Sequence, residues 1–292
     1  MNLNMNKSFP IRRLPVNRQG KDYVVGDLHG CWHLLERTLD LIGFRFNHDR
    51  LFSVGDIIDR GPESLHCLQL LEQPWFFAVL GNHEYMLLEF LQDYLRHGKL
   101  ETLHDVYDTG FLEFGGDWII QHYDPQRQVM SDDFNQGLKN ILELPIMLVV
   151  GEGKQRFHVV HAELAKHNQP DMMPDIWLDA DIDLWLQAGE VPPEAQERLL
   201  WSRTLDRTAC SGLFSCPDRL AGLSTTFCGH TYSKIPRQVF SHICVDTGAF
   251  TYLYAEKVNG LTVFDVQANR WLKLCNGIDN MLEVGEFDCL FC

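Results

Sequence analysis

Short apolar runs that close on glycine and then break into polar residues recur three times in the first third of the chain. "DYVVGDLHG", "LFSVGDIIDRG" and "FFAVLGNHE" reach Gly26, Gly55 and Gly81 and then present carboxylate, imidazole or amide side chains. Each leads into a segment with helical apolar spacing, "CWHLLERTLDLIGF", "PESLHCLQLLEQ" and "EYMLLEFLQDYLRHG". Strand, loop and helix repeated in this way predict βαβ units with parallel strands. In such sheets the loops at the carboxyl ends converge on one edge, where ligands bind.

Further along, residues 98–137 are irregular, with "TGFLEFGGDWII" read as a loop or short helical insertion. "PIMLVV" and "QRFHVVHAEL" predict a hairpin around "GEGKQ", whose two glycines can supply turn conformations. Residues 165–200 are acidic and proline-bearing, and "TTFCGHTY" reads as a strand and loop. From 240 to 275 apolar and polar positions alternate, predicting antiparallel strands with "VNG" as the hairpin turn. No stretch is rich enough in Pro, Gly or Ser to act as a linker between separate domains. The reading is a polar N-terminal tail over residues 1–20 and a single α/β domain over 21–292, with 165–200 as a lid or substrate-selecting insert.

Composition narrows the function classes. With 292 residues, 45% hydrophobic and 22% charged, the chain can bury a sizeable core and reads as soluble and globular. Its longest clearly apolar run, Leu144 to Val150, is far short of the roughly 20 residues that span a bilayer, and the N-terminus lacks the apolar core of an export signal. Neither a membrane partner nor export is expected, and cytoplasmic residence is. The net charge of -15, with no long Lys/Arg run, argues against nucleic acid. Nine scattered cysteines fit reduced thiols better than a disulfide framework, and the lone Cys289/Cys292 pair has no second ligand pair to make a metal site.

The candidate chemistry lies after the strands: Asp27 and His29; Asp56, Asp59 and Arg60; Asn82, His83 and Glu84; His161; His230. Carboxylate with imidazole is a ligand set for Zn, Mn or Fe. One such pair is ordinary turn chemistry, but five such loops after apolar strands point to a metal site. So many ligands imply two ions, and two ions about 3.5–4 Å apart need a shared anionic bridge.

In this order "GDLHG", "GDIIDRG", "GNHE", "HAE" and "CGHT" resemble the motifs of the calcineurin-like metallophosphoesterases, from Gly26 to about Gly248. The Asp59-Arg60 pair and "WSR" at 201–203 look most like the bacterial and phage branch of the phosphoprotein phosphatases. The resemblance implies a central β-sandwich flanked by helices and a centre of two divalent metal ions, manganese foremost, with iron and zinc also served by these ligands. Asp27 and His29 would hold the first ion, Asn82, His161 and His230 the second, and Asp56 would bridge them. His83 would protonate the leaving oxygen, Asp59 would orient its imidazole, and Arg60 and Arg203 would grip the phosphoryl oxygens. The "SAPNYC" segment of the eukaryotic enzymes is missing, with "VDTGAF" at 245–250 near its place, which argues against regulatory subunits of the eukaryotic kind. Glu163, where many relatives have another residue, is expected to alter the rim of the site.

Other polar clusters have plainer readings. "DADIDLWLQAGE" (179–190) matches four positions of a calcium-binding loop but has Leu184 where the turn wants Gly, so an acidic helix start is the better reading. His33, His66 and His97 fall on predicted helices as surface or core residues, and Trp32, Trp118, Trp177 and Trp185 are assigned to packing. Cys31 and Cys228 abut the motifs and read as buried small hydrophobes. The expected activity is metal-dependent hydrolysis of phosphorylated protein, Ser/Thr preferred, by direct in-line attack. The alternatives are a dinucleoside polyphosphate hydrolase and a catalytically silent protein-binding scaffold. Relatives of the first kind tend to lack the acid at Asp59, and members of the second lose ligands that are all present here.

Overall fold

The computed structural model describes residues 9–100, 110–167, 172–254, 259–275 and 282–287; the Cys289/Cys292 pair lies outside them. The stretch read as an N-terminal tail contributes a strand, β1 (Ile11–Leu14), which pairs in parallel with β7 (Met147–Val150). Ile11 turns into the core, and Arg12 and Arg13 donate to the carbonyls of Glu143 and Gly151. Two arginines in a four-residue strand hide it from a hydrophobicity reading.

The three glycine-closed runs form β2 (Asp22–Val25), β3 (Arg50–Ser53) and β4 (Phe76–Ala78), parallel and adjacent. Their crossovers carry α1 (Trp32–Ile42) and α2 (Ser64–Gln69), and α3 (Asn82–Phe90) and α4 (Gln92–His97) follow β4. A short 3-10 helix over Gly116–His122 occupies the irregular stretch, ahead of the small β5 (Tyr123–Asp124) and β6 (Val129–Met130) pair and α5 (Asp132–Leu142). β7 turns back antiparallel into β8 (Phe157–Val160), as the "GEGKQ" reading expects.

The second half adds α6 (Asp179–Ala188), α7 (Pro193–Trp201) and α8 (Thr204–Ser211), then β9 (Thr225–Cys228), β10 (Arg237–Val239) and β11 (His242–Cys244). β12 (Gly260–Asp265), β13 (Arg270–Cys275) and β14 (Leu282–Glu286) end the described chain as an antiparallel meander. Its first turn is not at "VNG". Gly260 already pairs with Cys275, and the chain reverses after Asp265, where Asn269 takes a left-handed φ of 53° that its short polar side chain tolerates.

Two six-stranded sheets result, ordered β1-β7-β8-β9-β11-β10 and β14-β13-β12-β2-β3-β4. Alternate residues of both sheets, among them Val24, Phe52, Phe157, Phe227, Ile243 and Phe264, interdigitate in one buried cluster. The rings chain across it, Phe52 to Phe157 at 5.6 Å, Phe157 to Phe227 at 5.7 Å and Phe227 to Phe264 at 5.0 Å. The opposite faces pack on the helices. This is the α/β sandwich flanked by helices that the motifs imply. Within 165–200, α6 starts as an acidic helix, with Asp181 accepting the Leu178 N–H and Asp179 and Asp183 paired with Arg156.

Candidate metal centre

The loops after β2, β3, β4, β8 and β9 meet at one end of the sandwich. Five of their non-glycine residues, His29, Asp56, Asp59, Arg60 and His230, have φ between 42° and 71°. Such strain persists only where surrounding structure over-determines it, and it clusters at functional sites. Here Glu84, at the third position of α3, supplies much of that determination. Its carboxylate accepts the N–H groups of Asp56 (2.9 Å), Ile57 (2.8 Å), Ile58 (3.2 Å) and Gly81 (3.0 Å), locking two loops together.

Two groups of potential ligand atoms converge, His29 with Asp56 and His83, and Asp56 with His161 and His230. Asp56 belongs to both, with Oδ2 3.5 Å from His29 Nε2 and Oδ1 3.4 Å from His161 Nε2. The imidazoles are aimed by their far nitrogens. His29 Nδ1 donates to the Ile58 carbonyl at 2.9 Å and His161 Nδ1 to that of Val54 at 2.9 Å, so each Nε2 turns a lone pair inward. Asn82 Oδ1 stands 2.7 Å from His161 Nε2 and 2.9 Å from His230 Nδ1. Lone pairs gathered this closely repel unless a proton or cation is shared among them, so the donor set fits a divalent ion.

Asp27 stands apart from both groups. It is buried, accepts the His230 N–H at 3.1 Å and is bonded to Asp246. Burial, reinforced by Asp246 and Asp56, pushes its carboxyl well above the ordinary range. Among the imidazoles, burial and the Arg60 charge hold His29 well below its usual range, burial lowers His161, and burial with His161 brings His230 to about 3. Burial opposes charge on Asp56 as well, but His161, His83 and His29 together hold it below the usual carboxylate range.

His83 is held differently. Its Nδ1 lies 2.7 Å from Asp59 Oδ2, and burial, which alone would lower it, is outweighed by Asp56 and Asp59, so its pKa is raised. Asp59 is in turn fixed by the Trp118 indole N–H, which donates to Oδ1 at 2.7 Å, and by the Ser64 hydroxyl, which accepts the Asp59 N–H at 3.0 Å. The Arg60 guanidinium lies over the Phe250 ring, 4.4 Å from its centroid, and reaches His29 Nε2 (2.7 Å) and His83 Nε2 (2.8 Å). Arg203 Nε donates to His230 Nε2 at 3.1 Å.

All ten expected site residues thus share one region, with Asp27 bonded to Asp246 and to the His230 N–H. Trp118 is more than packing, since it holds Asp59. Glu163 is not a rim group; it is 6% exposed and accepts the N–H groups of Leu205 and Asp206 and the Ser202 hydroxyl, capping α8 beside Arg203. His33 pairs with Glu63, and His97 reaches its own helix carbonyl at Asp93. Asp246 is not singled out in the sequence reading, and Glu84 appears there among the candidate ligands without this bracing role. The position of Glu84 three residues past Gly81, a helix-capping spacing, is the signal that could have found it.

A two-sheet sandwich whose strand-end loops gather imidazoles, carboxylates and arginines is the arrangement of a metallophosphoesterase. The chain belongs to the calcineurin-like phosphoesterase family, whose profile matches residues 23–232. That family works with a binuclear divalent metal centre. Serine/threonine-protein phosphatase 2 of Salmonella typhimurium is 31% identical over 232 residues, 78% of this chain and 87% of that one. Serine/threonine-protein phosphatase 2 of Escherichia coli is 37% identical over 145 residues, and the match spans 48% of this chain and 57% of that protein. The symmetrical bis(5'-nucleosyl)-tetraphosphatase of Pseudomonas putida is 38% identical over 113 residues, 37% of this chain and 39% of its own. A solved structure described as a diadenosine tetraphosphatase superposes with a TM-score of 0.50 at 16% identity, over 96% of this chain and 100% of that one, a likeness of fold alone.

Proposed function

We propose that the chain is a metal-dependent phosphoprotein phosphatase, with Ser/Thr preferred and Tyr accepted. The observation that carries this reading is the buried 2.7 Å bond between Asp59 and His83, with the Arg60 guanidinium beside it. Two divalent ions, manganese first and iron or zinc next, would be held by Asp27 and His29 and by Asn82, His161 and His230, with Asp56 between them. When bound they supply cationic charge against the phosphoryl group and a nucleophilic water near neutral pH.

His83 would deliver a proton from Nε2 to the leaving oxygen once Arg60, whose Nη2 faces that nitrogen at 2.8 Å, turns to the phosphoryl group, a transfer that contributes typically a hundredfold or more. Asp59 holds the ring in that orientation and favours its charged form. Arg60 and Arg203 bind the equatorial oxygens, for which a planar fork of donors is suited. A cytoplasmic location fits the odd, scattered cysteines.

Dinucleoside polyphosphate hydrolysis is the second reading, favoured by the similarity to the Pseudomonas putida tetraphosphatase. Asp59 weighs against it. Manganese-loaded protein is expected to turn over a phosphoserine or phosphothreonine peptide in preference to diadenosine tetraphosphate. Strong preference for the nucleotide overturns the choice, and no hydrolysis even of a small aryl phosphate favours a binding scaffold.

A further inference from the structure

We propose that Cys228 and Cys244 form a peroxide-oxidisable dithiol, a disulfide-forming modification site that acts on the loop carrying His230. β9 and β11 run parallel with Cys244 directly beside Cys228 in register. Register neighbours point to the same face, and the two thiols interact. Neighbouring strands lie about 4.8 Å apart, inside the Cα separation of roughly 4.4–6.8 Å that a disulfide accepts. The pair therefore needs only local side-chain movement to close.

Both residues also border an open space, Cys244 from a partly buried position and Cys228 from a buried one, 4% exposed. They line a cavity of about 770 Å³ walled by Leu205, Arg237 and Val239. Cys31 and Cys67, by contrast, are 0% exposed. The cavity admits a small oxidant to the first pair and leaves the second closed.

The Cys244 thiol sits against the peptide oxygens on either side of His230, 3.6 Å from that of Gly229 and 3.2 Å from that of Thr231. Arg237 Nη2 donates to the same Thr231 oxygen at 2.9 Å. In the first step a peroxide O–O bond breaks, Cys244 becomes a sulfenic acid and one water leaves. In the second, Cys228 Sγ attacks Cys244 Sγ, the S–S bond forms, the S–O bond breaks, and hydroxide departs as water with the Cys228 proton. The product has no S–H for the Gly229 and Thr231 oxygens, and it pulls on the residue two before His230. A dithiol reverses it by exchange.

The test is non-reducing peptide mapping of the manganese-loaded full chain after a few equivalents of hydrogen peroxide. The expected product is a cross-linked pair of peptides carrying Cys228 and Cys244, lighter by the two thiol hydrogens, lost with dithiothreitol and absent from Cys244→Ser. Metal content and aryl phosphate turnover are expected to fall on the order of tenfold, as when a group supporting a ligand is lost, and to return with the dithiol. Reduced or overoxidised but unlinked Cys228 and Cys244 overturn the site. A cross-link that leaves metal content and turnover unchanged overturns its action on His230. The activity arm rests on the metal-site reading above and the peptide map does not, so inactivity before oxidation faults that reading alone.

Discussion

Trp118 donates its indole N–H to Asp59 at 2.7 Å, so a residue assigned to packing acts through a carboxylate on the imidazole beyond it. In Trp118→Phe the ring survives and the donor is lost. A hydrogen bond to a charged group is worth about 1.5–3 kcal/mol, so turnover is expected to fall on the order of tenfold or more. The loss should be larger for alkyl than for aryl phosphates, because only a poor leaving group needs the acid, and metal content should be unchanged. Equal losses on both substrates would show a general disturbance instead. The acid itself separates from the bridge in the same way. His83→Ala should keep both metals and lose a hundredfold or more in turnover, whereas Asp56→Asn should lose metal as measured by elemental analysis. Wild-type activity of His83→Ala on an alkyl phosphate would sink the acid role. The strand-end residues were legible because Asp, His and Asn after an apolar run have few structural reasons to be there. The part played by Trp118 was not, nor that of Glu84, which was named among the candidates without a role, because a ring among aromatics and a glutamate opening a helix each have an ordinary explanation, and only three-dimensional pairing shows the other one.

The βαβ repetition was legible at the level of elements because glycine-closed apolar runs and helical spacing are local properties. β1 and the order of the sheets were not, since β1 meets β7 across more than a hundred residues and β12 joins the parallel trio antiparallel beside β2. The hairpin turn was misplaced because "VNG" carries a strong local turn signal, while Gly260 is committed by its pairing with Cys275. β11 illustrates what such long-range packing fixes. His242 is 2% exposed; its Nδ1 donates to the Phe240 carbonyl at 2.9 Å and its Nε2 accepts the Leu164 N–H at 3.2 Å. Both nitrogens are used only by the neutral ring, and burial brings its pKa to about 4. The unfolded chain binds this proton near the ordinary pKa of about 6.5, so the folded value is the depressed one. The stabilisation is complete above that pH and is lost as pH falls toward 4, about 3 kcal/mol in all. Denaturant unfolding of metal-free protein from neutral pH downward should therefore show a steeper decline for wild type than for His242→Gln, and parallel curves would refute the assignment.

Across the whole molecule, a chain of net charge -15 buries further acids at its functional end. Asp27 and Asp246 face each other out of water, and burial lifts Asp246 to about 6 despite the Gly248 N–H it accepts. Carboxyls held out of water and converging lone pairs oppose folding in the absence of a cation. The same groups attach to both sheets, Asp27 and Asp56 following β2 and β3 and His161 and His230 following β8 and β9. Ions held there would join the two halves of the sandwich while relieving the repulsion. Metal binding should then be a stability event as well as a catalytic one. At a hundredfold excess over the dissociation constant, manganese is expected to add about 2.7 kcal/mol, which raises Tm by roughly 4–5 °C for a domain of this size. Thermal unfolding after chelation and after manganese addition measures it, with Asp56→Asn as the control that should lose most of the rise. A Tm indifferent to both treatments, in protein whose activity still depends on the metal, would mean that the ions bind a site already held by Glu84 and the backbone, and that the acids cost the fold nothing.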